Sequence, residues 1–310
     1  MTGDESVFAN GPYAGRKLGE AWRGMPVEWR GTSIRHGPFP ILTKFIFTED
    51  KLSVQVHPDD RYAARHEQSA GGTGKTEMWY AVHARPGAEV LAGLRPAVTL
   101  ERFRKAIVEG TVEESLEHVS LGEGEAIFIP AGTAHTIGPG LVLCEIQQHS
   151  DITYRVFDYN RRDAQGRIRE LHIEKALAVM RFGAQICGKL QPLRFENAGA
   201  QETFFVACPY FATDKWEFES GISRTTSGEH FELLIILSGS GRISSPRSED
   251  EYGPAQAWLL PAALGTYRLN PASHTSLLRT YVPGEAMDFN EYFSGRGVKK
   301  DDWAKVVRWR

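Results

Sequence analysis

The sequence predicts a mainly β protein made of two antiparallel jelly-roll barrels, with a small helical insertion in the first and a helical tail after the second. Three observations carry this. Short runs rich in β-branched and aromatic residues, such as ILTKFIF (41–47) and FELLIIL (231–237), recur between turn signals. Glycine, with 31 residues, and proline, with 16, punctuate those runs. A strand–turn–strand phrase occurs twice, as GEGEAIFIPAGTAHTI (122–137) and as GPAQAWLLPAALGTYRL (253–269), with Tyr267 standing where the first copy has His135.

Taken in order, 1–40 is irregular apart from a short helix at Lys17–Trp22. Strands follow at Ile41–Phe47 and Leu52–His57, then a helical turn at Asp60–Gln68 and a glycine-rich loop, SAGGTGKT (69–76). That loop lacks the GxxxxGK[ST] pattern of a nucleotide-binding loop. EMWYAVHA (77–84) and EVLAGL (89–94) read as strands. Thr99 caps a helix over Leu100–Glu109 that Gly110 closes, and a second helix is expected at Val112–His118, so the insertion lies near 99–118. Further strands are expected at Ala126–Ile129, Leu141–Ser150 and Thr153–Asp158, then a helix over 170–187. The domain boundaries predicted are 1–195, 196–283 and a tail 284–310 that ends in a short helix with Trp303, Val306 and Val307 on one face.

A formal net charge of −3 gives no broad attraction to nucleic acid or to an anionic membrane. No apolar run approaches the roughly 20 residues that cross a bilayer, and the N-terminus has no basic-then-apolar leader. The three cysteines, Cys144, Cys187 and Cys208, are odd in number and lack CxxC spacing, which favours a reducing, cytoplasmic setting over a disulfide framework. The expected partner is a small molecule, with the chain a monomer or homodimer.

LSVQVHPDD (52–60) alternates, so Gln55 and His57 share one strand face, and Pro58 ends the strand. Glu77 opens a strand after the glycine loop, and His135 follows a Pro-Ala-Gly turn. Two imidazoles, a carboxylate and an amide oxygen converging at a barrel mouth suit zinc, and manganese and iron accept the same ligand types. Lys75, two residues before Glu77, is a candidate proton shuttle or anion contact; Glu145 is a candidate base, and Arg155 supplies fixed positive charge for a developing oxyanion. Arg161 and Arg162 lie beyond it. His66, His83, His118, His172, His230 and His274 fall outside the constellation, with His149 near the site strand.

LSVQVHPDD, GKTEMWY, IPAGTAHTI and EIQQHSDITYRVFDYNR, in that order, together resemble the type I mannose-6-phosphate isomerases in their short bacterial form. ANGPYAGRKLGEAW and PILTKFIF resemble the segments that precede the metal strand. The resemblance runs from about residue 9 to about 282 and is most specific over 51–162. It implies two cupin barrels, the second degenerate and metal-free, and one Zn2+ per chain held by His57, Glu77 and His135 with Gln55 as fourth ligand. It also places the family's catalytic arginine on Arg155, its active-site lysine on Lys75 and an acidic site residue on Glu145, and it implies interconversion of mannose 6-phosphate and fructose 6-phosphate through a cis-enediol. Arg161 is then the candidate for the substrate phosphate. The short form has a further N-terminal stretch with Trp-Gly-Gly and Gly-Glu-x-Trp elements before the part that matches Asn10, and the tail 284–310, extra to that form, is read as filling the gap. The alternatives are another metal-dependent cupin enzyme, such as an iron dioxygenase, and a non-catalytic sugar-phosphate-binding cupin.

Overall fold

The computed structural model describes residues 6–34, 37–162, 165–183, 187–284 and 287–308. The chain divides into two compact units, one of residues 41–190 and one of 1–40 with 191–310. The first forty residues therefore belong with the second half of the chain, not with the first barrel as the boundary at 195 had it. The cause is aromatic packing: helix α1 (Leu18–Gly24) buries Trp22, whose ring stands edge-on to Phe39 at 5.0 Å and to Phe231 at 5.3 Å. The next helix, α2 (Val27–Arg30), ends at Gly31, where φ is +102° and an added Cβ would stand 2.4 Å from the Glu229 carbonyl oxygen.

The 41–190 unit contains β1 (Ile41–Phe47), β2 (Val54–Val56), α3 (Asp60–His66), β3 (Glu77–Ala84), β4 (Glu89–Leu94), α4 (Leu100–Glu109), β5 (Leu116–Ser120), β6 (Ala126–Ile129), β7 (His135–Ile137), β8 (Leu141–Gln148), β9 (Tyr154–Phe157), α5 (Ile173–Val179) and β10 (Gly188–Lys189). Two five-stranded antiparallel sheets, ordered β1-β8-β3-β6-β10 and β5-β4-β7-β2-β9, make the barrel. Trp79, Val90, Ile127, Ile129 and Leu143 form one buried cluster, and Val54, Val56, Phe103 and Leu177 belong to another under the helices. The α4 helix carries both caps the sequence predicted: the Thr99 side chain accepts from Arg102 N–H, and Gly110 closes it at φ +75°. The helix expected at Val112–His118 is instead a 3-10 turn (Val112–Ser115) followed by β5, because pairing of Val119 with Val90 on β4 outweighs the helical propensity of VEESLEH. The helix expected over 170–187 is confined to α5; of its remainder, 184–186 lie outside the described residues.

The other unit continues with β11 (Leu193–Asn197), β12 (Ala200–Ala207), β13 (Ala212–Phe218), β14 (Ile222–Thr225), β15 (Glu232–Ser238), β16 (Gly241–Ser245), β17 (Ser248–Tyr252), β18 (Ala257–Leu260), β19 (Thr266–Pro271) and β20 (Thr275–Tyr281). Its sheets are β11-β12-β13-β20-β15-β18 and β14-β19-β16-β17. The order β13-β20-β15-β18 answers β1-β8-β3-β6, and β16-β19-β14 answers β4-β7-β2, so the sequence repeat is a repeat of topology. The fold is mainly β with two cupin-type barrels.

The tail forms α6 (Phe289–Ser294) and α7 (Lys300–Trp303). Phe293 is buried, stacked on Trp303 at 5.9 Å and edge-on to Phe204 at 5.0 Å, while Ala207 N–H donates to Val306 O at 2.9 Å. The tail is thus built into the second unit along β12, and the reading of it as a filler for the first barrel is replaced by this packing. Residues 285–286 and 309–310 of it lie outside the described residues.

Candidate metal centre

Strand register brings the predicted residues into a row. Gln55 on β2 is directly opposite His135 on β7, and on its other side opposite Arg155 on β9. Directly paired residues project to the same face, so Gln55, His135 and Arg155 point to one side of the sheet. His57 continues the β2 face two residues on, and Glu77 opens β3 on the opposing sheet. The loops are laced together: Lys75 N–H donates to Pro58 O at 3.0 Å, Gly132 N–H to His57 O at 2.8 Å, and Ala131 N–H to Thr76 Oγ1 at 3.3 Å. Gly74 is required here, since its N–H donates to Asp60 Oδ1 at 2.8 Å and an added Cβ would lie 2.5 Å from Asp60 N.

His57, Glu77 and His135 are all fully buried, and their potential donor atoms lie within 4.8 Å of one another. His135 Nε2 is 3.3 Å and His57 Nε2 3.8 Å from Glu77 Oε1. Tetrahedral donors around a zinc-sized ion stand about 3.4 Å apart, so the spacing fits. The tautomers fit as well. His57 Nδ1–H donates to the Ile152 carbonyl at 2.8 Å and His135 Nδ1–H to the Thr133 carbonyl at 2.9 Å. A carbonyl only accepts, so both rings keep a lone pair on Nε2 aimed inward, the arrangement a metal-binding imidazole needs. Burial, the Lys75 charge and the neighbouring ring hold His57 well below the ordinary histidine range. Burial lowers His135 to about 4, against the opposing effect of its Thr133 hydrogen bond. Both Glu77 oxygens are buried without a hydrogen bond of good geometry. Such a carboxylate is costly unless a cation compensates it, so these residues fit a divalent metal.

Lys75 supplies positive charge at the same place. Its Nζ is 3.1 Å from Glu77 Oε2, at ion-pair distance but without hydrogen-bond alignment, and 3.3 Å from His57 Nε2. Burial alone would lower its pKa, but Glu77 and Glu145 outweigh burial and raise it. Gln55 donates through its amide nitrogen to His135 Nε2 at 3.2 Å; as a fourth ligand it would have to turn its amide oxygen inward. Glu145 accepts from Trp79 Nε1 at 3.1 Å, and burial followed by repulsion from Glu77 raises its pKa despite Lys75 and Lys44. Arg155 is half-buried and donates to Ser53 Oγ at 3.3 Å and Glu170 O at 3.2 Å. Arg161 binds Asp158 and the Lys51 carbonyl and has no hydrogen bond to the cluster. His149 stands outside the His–Glu–His group among the described residues.

The sequence reading missed Lys44. It is the direct strand partner of Glu145, with Nζ 3.4 Å from Glu145 Oε2 and donating to Gln147 Oε1 at 3.2 Å. A lysine inside the apolar run ILTKFIF was the available signal.

No family model matches the chain. The chain is 35% identical over 268 residues to the mannose-6-phosphate isomerase ManA of Bacillus subtilis, covering 86% of this chain and 82% of the relative. It is 38% identical over 239 residues to the mannose-6-phosphate isomerase of Streptococcus mutans, covering 77% and 73%. The chain belongs to the mannose-6-phosphate isomerase family. Membership makes it an isomerase. The crystal structure of the B. subtilis mannose 6-phosphate isomerase superposes with a TM-score of 0.81 at 29% identity, over 88% of this chain and 84% of that one. A mannose 6-phosphate isomerase bound with zinc and yttrium, 16% identical with a TM-score of 0.65 over 86% of each chain, shares the fold. Among the described residues no helix is long and apolar enough to cross a membrane.

Proposed function

We propose that this isomerase interconverts mannose 6-phosphate and fructose 6-phosphate through a cis-enediol, with zinc held by His57, Glu77 and His135 and Gln55 turning in as fourth ligand. The observation that carries the reading is the buried Glu77 carboxylate, unsatisfied in both oxygens, between two imidazoles with inward Nε2 lone pairs. The activity of the B. subtilis and S. mutans relatives, for which they are named, supports the substrate. A bound divalent ion would polarise the substrate carbonyl and stabilise negative charge that develops on its oxygens.

The chain's own groups do the rest. A proton must pass between C1 and C2, and Glu145 and Lys75 are the candidates to carry it. Burial and Glu77 lift Glu145 above the usual carboxylate range, which makes it a stronger base than a solvated glutamate. Trp79 and Lys44 hold its two oxygens in place. Lys75, between Glu77 and His57, is positioned to donate to substrate oxygen. Arg155, in the same row as Gln55 and His135, offers a permanent positive charge to the enediolate. An iron dioxygenase would give neither Lys75 nor Arg155 a task. A reducing, cytoplasmic setting suits the buried Cys144 and Cys208.

The test is a coupled assay that follows fructose 6-phosphate from mannose 6-phosphate, with zinc-loaded and chelator-treated protein. Turnover with zinc, lost on chelation and restored by zinc, is expected. A zinc-loaded protein that binds mannose 6-phosphate without turnover would defeat the reading.

A further inference from the structure

The glycine loop that leads into β3 has two halves, and they are held differently. The N–H groups of Ala70, Gly71 and Gly72 bond within the loop's own turn, to the carbonyls of Glu67 and Gln68. The N–H groups of the last three residues before Glu77 all leave the loop. Gly74 N–H donates to Asp60 Oδ1 at 2.8 Å, Lys75 N–H to Pro58 O at 3.0 Å and Thr76 N–H to Gln148 Oε1 at 2.7 Å. The acceptors belong to segments of the proposed centre: Pro58 and Asp60 follow His57, and Gln148 ends β8, three residues after Glu145.

Gln148, only 4% exposed, closes this arrangement. Its N–H donates to Thr76 O at 3.1 Å, one rung beyond the pairing of Glu77 with Gln147. A regular antiparallel ladder would return Thr76 N–H to the Gln148 carbonyl. That carbonyl instead accepts from Gln147 Nε2 at 3.0 Å, and the Gln148 side chain takes the N–H in its place. The Gln148 amide nitrogen then donates to Asp60 Oδ1 at 2.9 Å, the oxygen that also accepts from Gly74. A backbone N–H needs the amide oxygen and a carboxylate needs the amide nitrogen, so the two partners fix the side chain's orientation. The result is a closed ring from Gly74 through Asp60 and Gln148 to Thr76, with Lys75 as the residue between its ends. An ordinary last rung of β3 would satisfy Thr76 with no side chain at all, so the end of the strand does not by itself call for the ring. Lys75 does. Its ammonium sits on a flexible four-carbon stem, 3.1 Å from Glu77 Oε2 without hydrogen-bond alignment and 3.3 Å from His57 Nε2. The backbone beneath it must therefore be fixed.

We propose that Gln148, together with Asp60, is a positioning residue: the ring it closes holds residues 74–76 so that the Lys75 ammonium stays beside Glu77 and His57. Its consequence for turnover rests on the isomerase reading, to which it adds a residue outside the His57–Glu77–His135 cluster. Misplacement of a working group by about 1 Å costs on the order of 100-fold in rate.

The test compares the zinc-loaded parent with Gln148→Met, Gln148→Glu, Gln148→Glu combined with Asp60→Asn, and, as a control at the far end of the loop, Gln68→Ala. Zinc content, kcat and KM for mannose 6-phosphate, binding of mannose 6-phosphate by calorimetry, and amide hydrogen exchange read by mass spectrometry are measured. Gln148→Met should keep its zinc and lose on the order of 10- to 100-fold in kcat, with a smaller change in KM, while exchange quickens over 74–76 and stays slow through the rest of β3. Gln148→Glu keeps an acceptor for Thr76 but sets a carboxylate against Asp60; its kcat should fall as well, and adding Asp60→Asn, which returns a donor to the pair, should recover part of the loss. Gln68→Ala should match the parent. If Gln148→Met does not fold, Gln148→Glu carries the same comparison. A parent that turns over while the folded Gln148 variants keep kcat within about twofold overturns the positioning role and leaves the isomerase reading standing. Faster exchange spread evenly over the whole chain overturns it too, since Gln148 would then be a general structural support. If the parent binds mannose 6-phosphate without turnover, and Gln148→Met weakens that binding about 10-fold with faster exchange confined to 74–76, the isomerase reading fails and the positioning role stands.

Discussion

Glu77 opens β3 of the first unit and Glu232 opens β15 of the second, and the topological repeat makes them counterparts. Glu145 lies opposite the residue two beyond Glu77, and Arg279 opposite the residue two beyond Glu232. Lys44 pairs with Glu145 in register, and Asp214 with Arg279. Gln55 faces His135, and Arg224 faces Tyr267. In the second unit Arg279 Nη1 donates to Glu232 at 3.0 Å, Arg279 also grips Asp214, and Tyr267 donates to the other Glu232 oxygen at 2.7 Å. The guanidinium lies over the rings of Trp216 at 4.8 Å and Tyr281 at 4.9 Å. The charges at the strand pair are inverted, and the cation is part of the chain. Glu77 has a chain cation too, Lys75 at 3.1 Å, but neither of its oxygens is held by an aligned hydrogen bond, and the two imidazoles beside it keep their Nε2 lone pairs turned inward. A buried carboxylate must be compensated in either barrel. The second barrel does this internally, and stability results. The first leaves coordination available, and chemistry becomes possible.

The strongest way to break this contrast is His135→Ala. It should abolish metal retention, read by elemental analysis, and with it several kcal/mol of transition-state stabilisation in the isomerase assay, with the fold kept. Full metal and full turnover in that variant would remove the first half of the comparison. Arg279→Met tests the other half. It strands Asp214 and Glu232 in the core and should destabilise the protein by about 3–5 kcal/mol in urea unfolding, with metal content unchanged. Tyr267→Phe removes one donor to Glu232 and should cost about 1–3 kcal/mol.

An effect that appears only as pH falls concerns His230, which stands two residues before Glu232 as Lys75 does before Glu77. Its ring stacks on Tyr281 at 4.3 Å, and burial followed by the Arg279 charge lowers its pKa to about 3. Below pH 6.5 the unfolded chain takes up a proton at this residue that the folded one refuses. Stability therefore falls as pH drops from about 6.5 towards 3, by about 1.4 kcal/mol per pH unit from this group. Replacing His230 by Phe should flatten that part of the pH–stability curve, and an unchanged slope would show that His230 is not its source.

The first barrel was largely legible because its strands alternate and its candidate metal-holding residues sit at their ends. His57, Glu77 and His135 could be found from spacing and strand face. Arg279 was not readable as a replacement cation, because its partners Asp214 and Glu232 lie 65 and 47 residues away and no local pattern marks the pairing. A still longer separation hid the attachment of 1–40 to the second unit, which depends on Trp22 meeting Phe231. Lys44 had a local signal, a charge in an apolar strand, but its role comes from a partner 101 residues away. The strand at Leu116–Ser120 was misread because its propensity is helical and its pairing is not local.

The row formed by Gln55, His135 and Arg155 has a consequence for the order of events in folding. Gln55 and His135 are 80 residues apart, and their strands become neighbours only after β3 to β6 have been threaded between them in sequence. Such a pairing closes late on any route, since its loop entropy is repaid only once the rest of the sheet exists. On the proposed reading, metal capture is then a step taken by an already folded barrel. Chelation should cost this protein its activity well before it costs its shape.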